Sequence, residues 1–127
     1  MSGLVIDNSA AINLVRGIPP EGLSVKNYFA PDLIDLEFAN ALRKLVLRQK
    51  LGTEVASRYL REWAANDLTR CPHTVLLPRI WQLRNNITPY DASYVALAEA
   101  LGIPLATADR RLATAAEKYC KVVLING

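Results

Sequence analysis

The sequence predicts an α/β protein: a three-layer α/β/α sandwich around a mainly parallel sheet. Three observations point there. Short, wholly apolar runs such as Leu4-Val5-Ile6 and Val122-Val123-Leu124-Ile125 suit strands buried on both faces. Longer segments with apolar residues three and four apart lie between such runs and suit amphipathic helices. Strand-like and helix-like segments alternate along the chain. At 127 residues the length fits one domain, 1–127.

The elements follow in order. Leu4-Val5-Ile6 is a strand that ends at Asp7. Residues 8–16 read as a helix, closed by Gly17 and the Pro19-Pro20 pair. Residues 21–32 read as irregular, with a short strand at Tyr28-Phe29-Ala30. Pro31 is expected to open a long helix through about Gln49, stopped near Gly52. On a helical wheel Ile34, Phe38, Ala41, Leu42, Leu45 and Val46 share its apolar face. Thr53 is expected to cap a helix over 54–65, and a short strand is expected around 68–71. Residues 75–85 read as a helix in which Trp81, beside Leu77, faces the core. Thr88-Pro89-Tyr90-Asp91 is a helix start, with Thr at the cap, Pro in the first position and an acid in the third. That helix runs to Leu101 and stops at Gly102. Pro104–Thr107 is a strand, Asp109 opens a helix through about Lys118, and Val122–Ile125 is a last strand.

Composition narrows the function. Hydrophobic residues make up 51% and charged residues 21%, a globular rather than disordered balance. No apolar run is long enough to span a membrane, and the first residues lack the basic start of a secretory leader. The two cysteines, Cys71 and Cys120, lie far apart, which argues against a zinc site or a disulfide framework and for a reduced, cytoplasmic setting. The lone histidine, His73, excludes a two-histidine acid–base nuclease within one chain and reads as structural. There is no glycine-rich phosphate loop. The net charge is +3, and ten of the fifteen cations are arginine.

The placement of the acids carries the chemistry. Asp7 directly follows one strand and Asp109 closely follows another. In a parallel sheet such positions lie at the carboxyl edge, where α/β proteins build their sites. Asp91 begins the helix before the second of these strands, sharing a face with Val95 and Ala98, and Glu37 borders the apolar arc of its helix. If the strands are neighbours, four carboxylates meet in one cleft. Clustered carboxylates repel, and burial raises their pKa values. A hard divalent cation relieves both effects, and an all-oxygen donor set suits Mg²⁺ or Mn²⁺. Such an ion activates water for attack on a phosphodiester. With these four acids set aside, fifteen cations face eight acids, a positive body around an acidic pocket. Each acid also has a plainer reading: Asp7 and Asp109 as helix caps, Asp91 as part of a capping box, Glu37 as a solvated helix residue.

These residues resemble the PIN-domain ribonucleases, specifically the VapC-type toxins of bacterial toxin–antitoxin pairs. The likeness covers nearly the whole chain. It opens with Val5-Ile6-Asp7-Asn8-Ser9-Ala10 and continues through Pro31-Asp32-Leu33 and Glu37-Phe38-Ala39-Asn40-Ala41-Leu42. Its most specific part runs from Tyr90-Asp91-Ala92-Ser93-Tyr94-Val95-Ala96-Leu97-Ala98 to Leu101–Leu112. The resemblance implies a Mg²⁺- or Mn²⁺-dependent endoribonuclease with Asp7, Glu37, Asp91 and Asp109 as its acidic site. Asp7 and Asp91 are expected as direct metal ligands, with Glu37 and Asp109 acting through waters or orienting the attacking hydroxide. Ser9, Asn40 and Thr107 are candidates to support the ligands, and Arg84, Arg110 and Arg111 to contact RNA phosphates. Trp81 as a base-stacking residue is the other reading of that side chain. The family further implies a homodimer and a cognate antitoxin that covers the cleft, often with a basic side chain among the acids.

Three other classes are weighed by the same residues. A phosphoacceptor receiver domain needs adjacent acids after the first strand and a lysine after the last. Here Asn8 follows Asp7 and the chain ends Asn126-Gly127. A haloacid-type phosphatase needs a second aspartate where Ser9 stands. A PIN-like module that binds RNA or a partner without cutting would share the fold, but the presence of all four acids argues against it.

Overall fold

The computed structural model describes residues 3–18 and 27–126. Five parallel strands form one sheet: β1 (Leu4–Ile6), β2 (Tyr28–Pro31), β3 (Thr69–Cys71), β4 (Leu105–Thr107) and β5 (Val122–Leu124). Their spatial order is β3-β2-β1-β4-β5. Around them lie α1 (Asn8–Val15), α2 (Ile34–Leu47), α3 (Thr53–Ala64), α4 (Leu77–Gln82), α5 (Pro89–Leu101) and α6 (Arg110–Ala116). A 3₁₀ turn, Thr74–Leu76, leads into α4.

The strand order explains the burial. The residues of β1 and β4, in the middle of the sheet, are wholly buried, as their continuous apolar sequence requires. Right-handed crossovers put α1, α2 and α3 on one face and α4, α5 and α6 on the other. The packing agrees: α1, α2 and α3 touch one another, and α4 rests on α5. Residues Ala92 to Ala98 of α5 are buried without interruption, so this stretch of the helix is enclosed on every side. Gly102 ends it in the left-handed conformation, φ 66°.

The chain moves from β1 to β2 on one side and later reaches β4 on the other. The direction of winding therefore reverses between β1 and β4. At such a reversal the connections diverge and leave a crevice at the carboxyl ends of the strands. Val5 pairs with Leu105 and Ile6 with Ala106, so the residues that follow the two strands emerge side by side.

Several boundaries differ from the sequence expectation. Pro31 does not open a helix. It closes β2 opposite Cys71, and α2 begins at Ile34. The fixed φ of proline suits a strand end as well as a first helical turn. Thr53 is the first residue of α3, with Gly52 at the cap position. The expected helix over 75–85 is the 3₁₀ turn followed by the six-residue α4. Its core contacts come from Leu76, Ile80 and Leu83, which turns Leu77 and Trp81 outward, Trp81 to 67% exposure. The Pro19-Pro20 stop lies outside the described residues.

A second anchor lies away from the crevice. Phe38 of α2 stacks on Trp63 of α3, with centroids 4.8 Å apart and planes 18° from parallel. Trp63 Nε1 donates to Asp35 Oδ1 at 2.8 Å. Arg70 of β3 donates to both Asp35 oxygens, at 2.8 and 3.0 Å. Burial opposes ionisation of Asp35, but the Arg70 and Trp63 bonds outweigh it and hold its pKa below the usual value. One carboxylate thus joins α2, α3 and β3. Phe38 is fully buried beside this junction and one residue from Glu37. Phe38→Ala should cost about 3–5 kcal/mol. Urea unfolding should show a lower midpoint with an unchanged slope.

Candidate active site

Asp7 follows β1 at the crevice and is 3% exposed. It is the N-cap of α1: Oδ1 accepts the Ala10 N–H at 3.0 Å. The same oxygen accepts the Ser9 hydroxyl at 2.7 Å. Oδ2 accepts the Thr107 hydroxyl at 2.7 Å from the neighbouring strand. Both hydroxyls are in turn held by backbone: Ser9 Oγ accepts the Ala108 N–H at 2.8 Å, and Thr107 Oγ1 accepts the Asp109 N–H at 3.0 Å. The ends of β1 and β4 are therefore laced together through one buried carboxylate. Ser9 and Thr107, candidates from the sequence to support the ligands, both hydrogen-bond to Asp7.

Asp109 caps α6, its Oδ1 accepting from Arg111 N at 2.9 Å and Leu112 N at 3.3 Å. Asp91 is the third residue of α5 behind the Thr88 cap, whose hydroxyl accepts the Asp91 N–H at 3.3 Å. No hydrogen bond reaches the Asp91 side chain among the described residues. Glu37 Oε1 accepts the hydroxyl of Tyr94 at 2.5 Å. Tyr94 was legible only as part of a motif. The signal that it needs a partner is its burial, because a buried phenol seldom leaves its O–H unpaired.

The capping contacts leave some carboxylate oxygens uncommitted. Asp109 and Glu37 each commit one oxygen to the fold, and among the described residues the other has no hydrogen bond. Asp7 Oδ1 is filled by two donors, while Oδ2 has one donor and one lone-pair direction left.

Electrostatics show that the four acids form one group. Burial raises the pKa of Asp7 above the usual value despite bonds from Thr107, Ser9 and Ala10, and Asp109 adds to the rise. Burial raises Glu37, opposed by Tyr94 and reinforced by Asp91 and Asp7. Burial raises Asp91, reinforced by Asp109 and Asp7 and opposed by Arg111. These effects link the acids: Asp109 acts on Asp7 and Asp91, and Asp7 and Asp91 act on Glu37. Burial, with Glu37 beside it, pushes the Tyr94 phenol far above its ordinary range, so it serves as a donor.

The donor set fits a hard cation. Among the described residues no three acidic, histidine or cysteine side chains are grouped closely enough to ligate one ion directly. Mg²⁺ in proteins is typically held by one or two carboxylates and keeps several waters. The uncommitted oxygens of the half-buried Glu37, Asp91 and Asp109, beside the buried Asp7, are compatible with that requirement.

The remaining sequence candidates are more scattered. Asn40 is exposed and makes no hydrogen bond to any of the four acids. Arg110 and Arg111 are exposed at the start of α6, and Arg111 acts electrostatically on Asp91. Arg84 is exposed, lies 4.6 Å over the Trp81 ring and donates to the Trp81 carbonyl at 2.9 Å.

A carboxyl group whose pKa is raised by folding binds its proton more tightly in the folded chain. Its favourable contribution is present below the unfolded-state pKa, about 4, and is lost as pH rises through the folded value. Without metal, the cluster should therefore weaken the fold at neutral pH. In EDTA at pH 7, Asp91→Asn should raise Tm by roughly 3–5 °C, the shift that about 1 kcal/mol gives at this size. The gain should fade below about pH 4, where the wild-type carboxyl is protonated. Melting curves across pH check both the sign and the window.

Comparison with known proteins gives the family. The PIN domain family model matches residues 4–118. Ribonuclease VapC9 of Mycobacterium tuberculosis is 40% identical over 124 residues, covering 96% of this chain and 98% of its own. Ribonuclease VapC1 of the same organism is 40% identical over 134 residues, covering 98% and 99%. The solved structure of PAE2754 from Pyrobaculum aerophilum superposes with a TM-score of 0.68 at 26% identity, covering 96% of this chain and 84% of that one. The chain belongs to the PIN-domain family, among the VapC ribonucleases.

Proposed function

We propose that the protein is an endoribonuclease that hydrolyses RNA phosphodiester bonds with Mg²⁺ or Mn²⁺, and that it acts as the toxin of a toxin–antitoxin pair. The observation that carries this reading is the group of four electrostatically coupled acids at the β1/β4 crevice, with oxygens left over from the fold. Bound there, the ion would lower the pKa of a coordinated water and offset charge at the phosphoryl group.

Asp7 and Asp91 are the proposed direct ligands. Asp7 offers its remaining Oδ2 lone pair, held in place by Thr107. Asp91 offers a side chain with no competing hydrogen bond. Glu37 and Asp109 accept hydrogen bonds from ordered waters through their free oxygens, and Glu37 orients the water that attacks phosphorus. The water oxygen bonds to phosphorus, the bond to the leaving ribose oxygen breaks, and a proton passes to that oxygen. Ser9 and Thr107 donate to Asp7, which favours its charged form and aims the carboxylate. Arg110 and Arg111 flank Asp109 and are placed to draw in the phosphate backbone, with Arg84 as a more distant contact.

The family relationship supports an antitoxin as partner, a homodimer as the assembled state and 1–127 as one cytoplasmic domain. Among the described residues no helix is long and apolar enough to cross a membrane.

End-labelled total RNA, incubated with purified antitoxin-free chain in Mg²⁺, Mn²⁺ or EDTA, tests the activity. Discrete fragments are expected with either metal and none with EDTA. Asp91→Asn should lower the cleavage rate by about 10²–10³-fold or more. Equal cleavage by the folded variant contradicts the site. Binding of RNA without cleavage by wild type in either metal would support the non-cutting module instead. RNA affinity should fall with salt, and Arg111→Ala should reduce the slope of log affinity against log salt by about one. Binding that ignores salt would instead indicate a partner-protein surface.

A further inference from the structure

We propose that Tyr94 is a positioning residue for the cleavage reaction, fixing which oxygen of Glu37 faces the site. This inference rests on the nuclease reading above. The four acids are not held alike. Asp7 and Asp109 are each pinned by backbone N–H groups at a helix start. Asp91 has a short side chain on the first turn of α5. Glu37 has the longest side chain of the four and receives no backbone donor; the Tyr94 hydroxyl is its one hydrogen-bond partner among the described residues. A glutamate side chain left free carries a large rotamer entropy, which is lost again whenever it must orient a water.

Tyr94 is suited to the task. It is 1% exposed, one helical turn after Asp91 on α5. Residues three apart lie on one face, so α5 presents Asp91 and the Tyr94 hydroxyl to the same side. The bond crosses between layers, from α5 on one face of the sheet to α2 on the other, linking residues 57 apart in sequence. A phenol has a single proton, and that proton is committed to Oε1. Among the described residues Oε2 of Glu37 then has no hydrogen-bond partner, and it is the oxygen assigned to the site. The packing of Tyr94 against the core does not require the hydroxyl, so Tyr94→Phe separates positioning from packing.

The test is a double-mutant cycle of Tyr94→Phe and Glu37→Gln. It reads single-turnover cleavage, RNA affinity and, without RNA, calorimetric Mn²⁺ affinity. In a folded Tyr94→Phe chain, cleavage should fall about 10- to 100-fold, the range a hydrogen bond to a charged group supports. RNA affinity should be unchanged and Mn²⁺ binding weaker. In the Glu37→Gln background, Tyr94→Phe should cause little further loss in cleavage or Mn²⁺ affinity, because its effect runs through Glu37. Wild-type cleavage with an unchanged rate and Mn²⁺ affinity in folded Tyr94→Phe overturns the proposal, as do fully additive losses in the cycle. Absence of cleavage by wild type would instead overturn the nuclease reading on which it rests.

Discussion

The Asp7 carboxylate is buried where β1 and β4 end side by side, bonded to the Ser9 and Thr107 hydroxyls and the Ala10 N–H. Much of the surrounding architecture follows from placing a carboxylate there. Burial disfavours its charged form, and donors that oppose this face it from its own helix start and from the adjacent strand. Those donors are then fixed by the backbone of residues 108 and 109, which brings the second acid, Asp109, to the mouth of the same crevice. Parallel pairing of β1 with β4 gives the register, and the reversal of strand order gives the space.

The other acids extend the same logic. Their mutual repulsion is a cost in the metal-free protein, and the fold carries it by giving some of the carboxylate oxygens a structural task. Helix capping and ion binding are compatible because a carboxylate has two oxygens. The Phe38–Trp63 stack and the Asp35–Arg70 pair brace α2 from the side away from the crevice. Tyr94 ties the same helix across to α5. Glu37 therefore sits on a helix restrained from two directions.

Much of this was legible in the sequence, for identifiable reasons. Buried central strands such as Leu4–Ile6 can only be apolar, and Thr88-Pro89-Tyr90-Asp91 announces a helix start through local chemistry alone. The four acids stood at positions whose meaning depends on strand order, which the sequence suggests only through alternation. Pro31 was misplaced because proline serves a strand end and a helix start equally well. Trp81 was misread because a six-residue helix buries too narrow a stripe to cover every apolar residue it carries. The Asp35–Arg70 and Glu37–Tyr94 bonds span 35 and 57 residues, and no local pattern encodes such pairings.

On the proposed function, a divalent cation relieves the repulsion built around Asp7. Thermal unfolding of EDTA-treated protein across a Mg²⁺ titration tests it most directly. An ion that binds only the folded chain must raise Tm progressively with concentration. Wild type should show that rise, and Asp7→Asn, which keeps the shape of the side chain but removes the charge, should show a much smaller one. A wild-type Tm that stays flat from EDTA to millimolar Mg²⁺, or an Asp7→Asn chain that responds as strongly as wild type, would contradict the account.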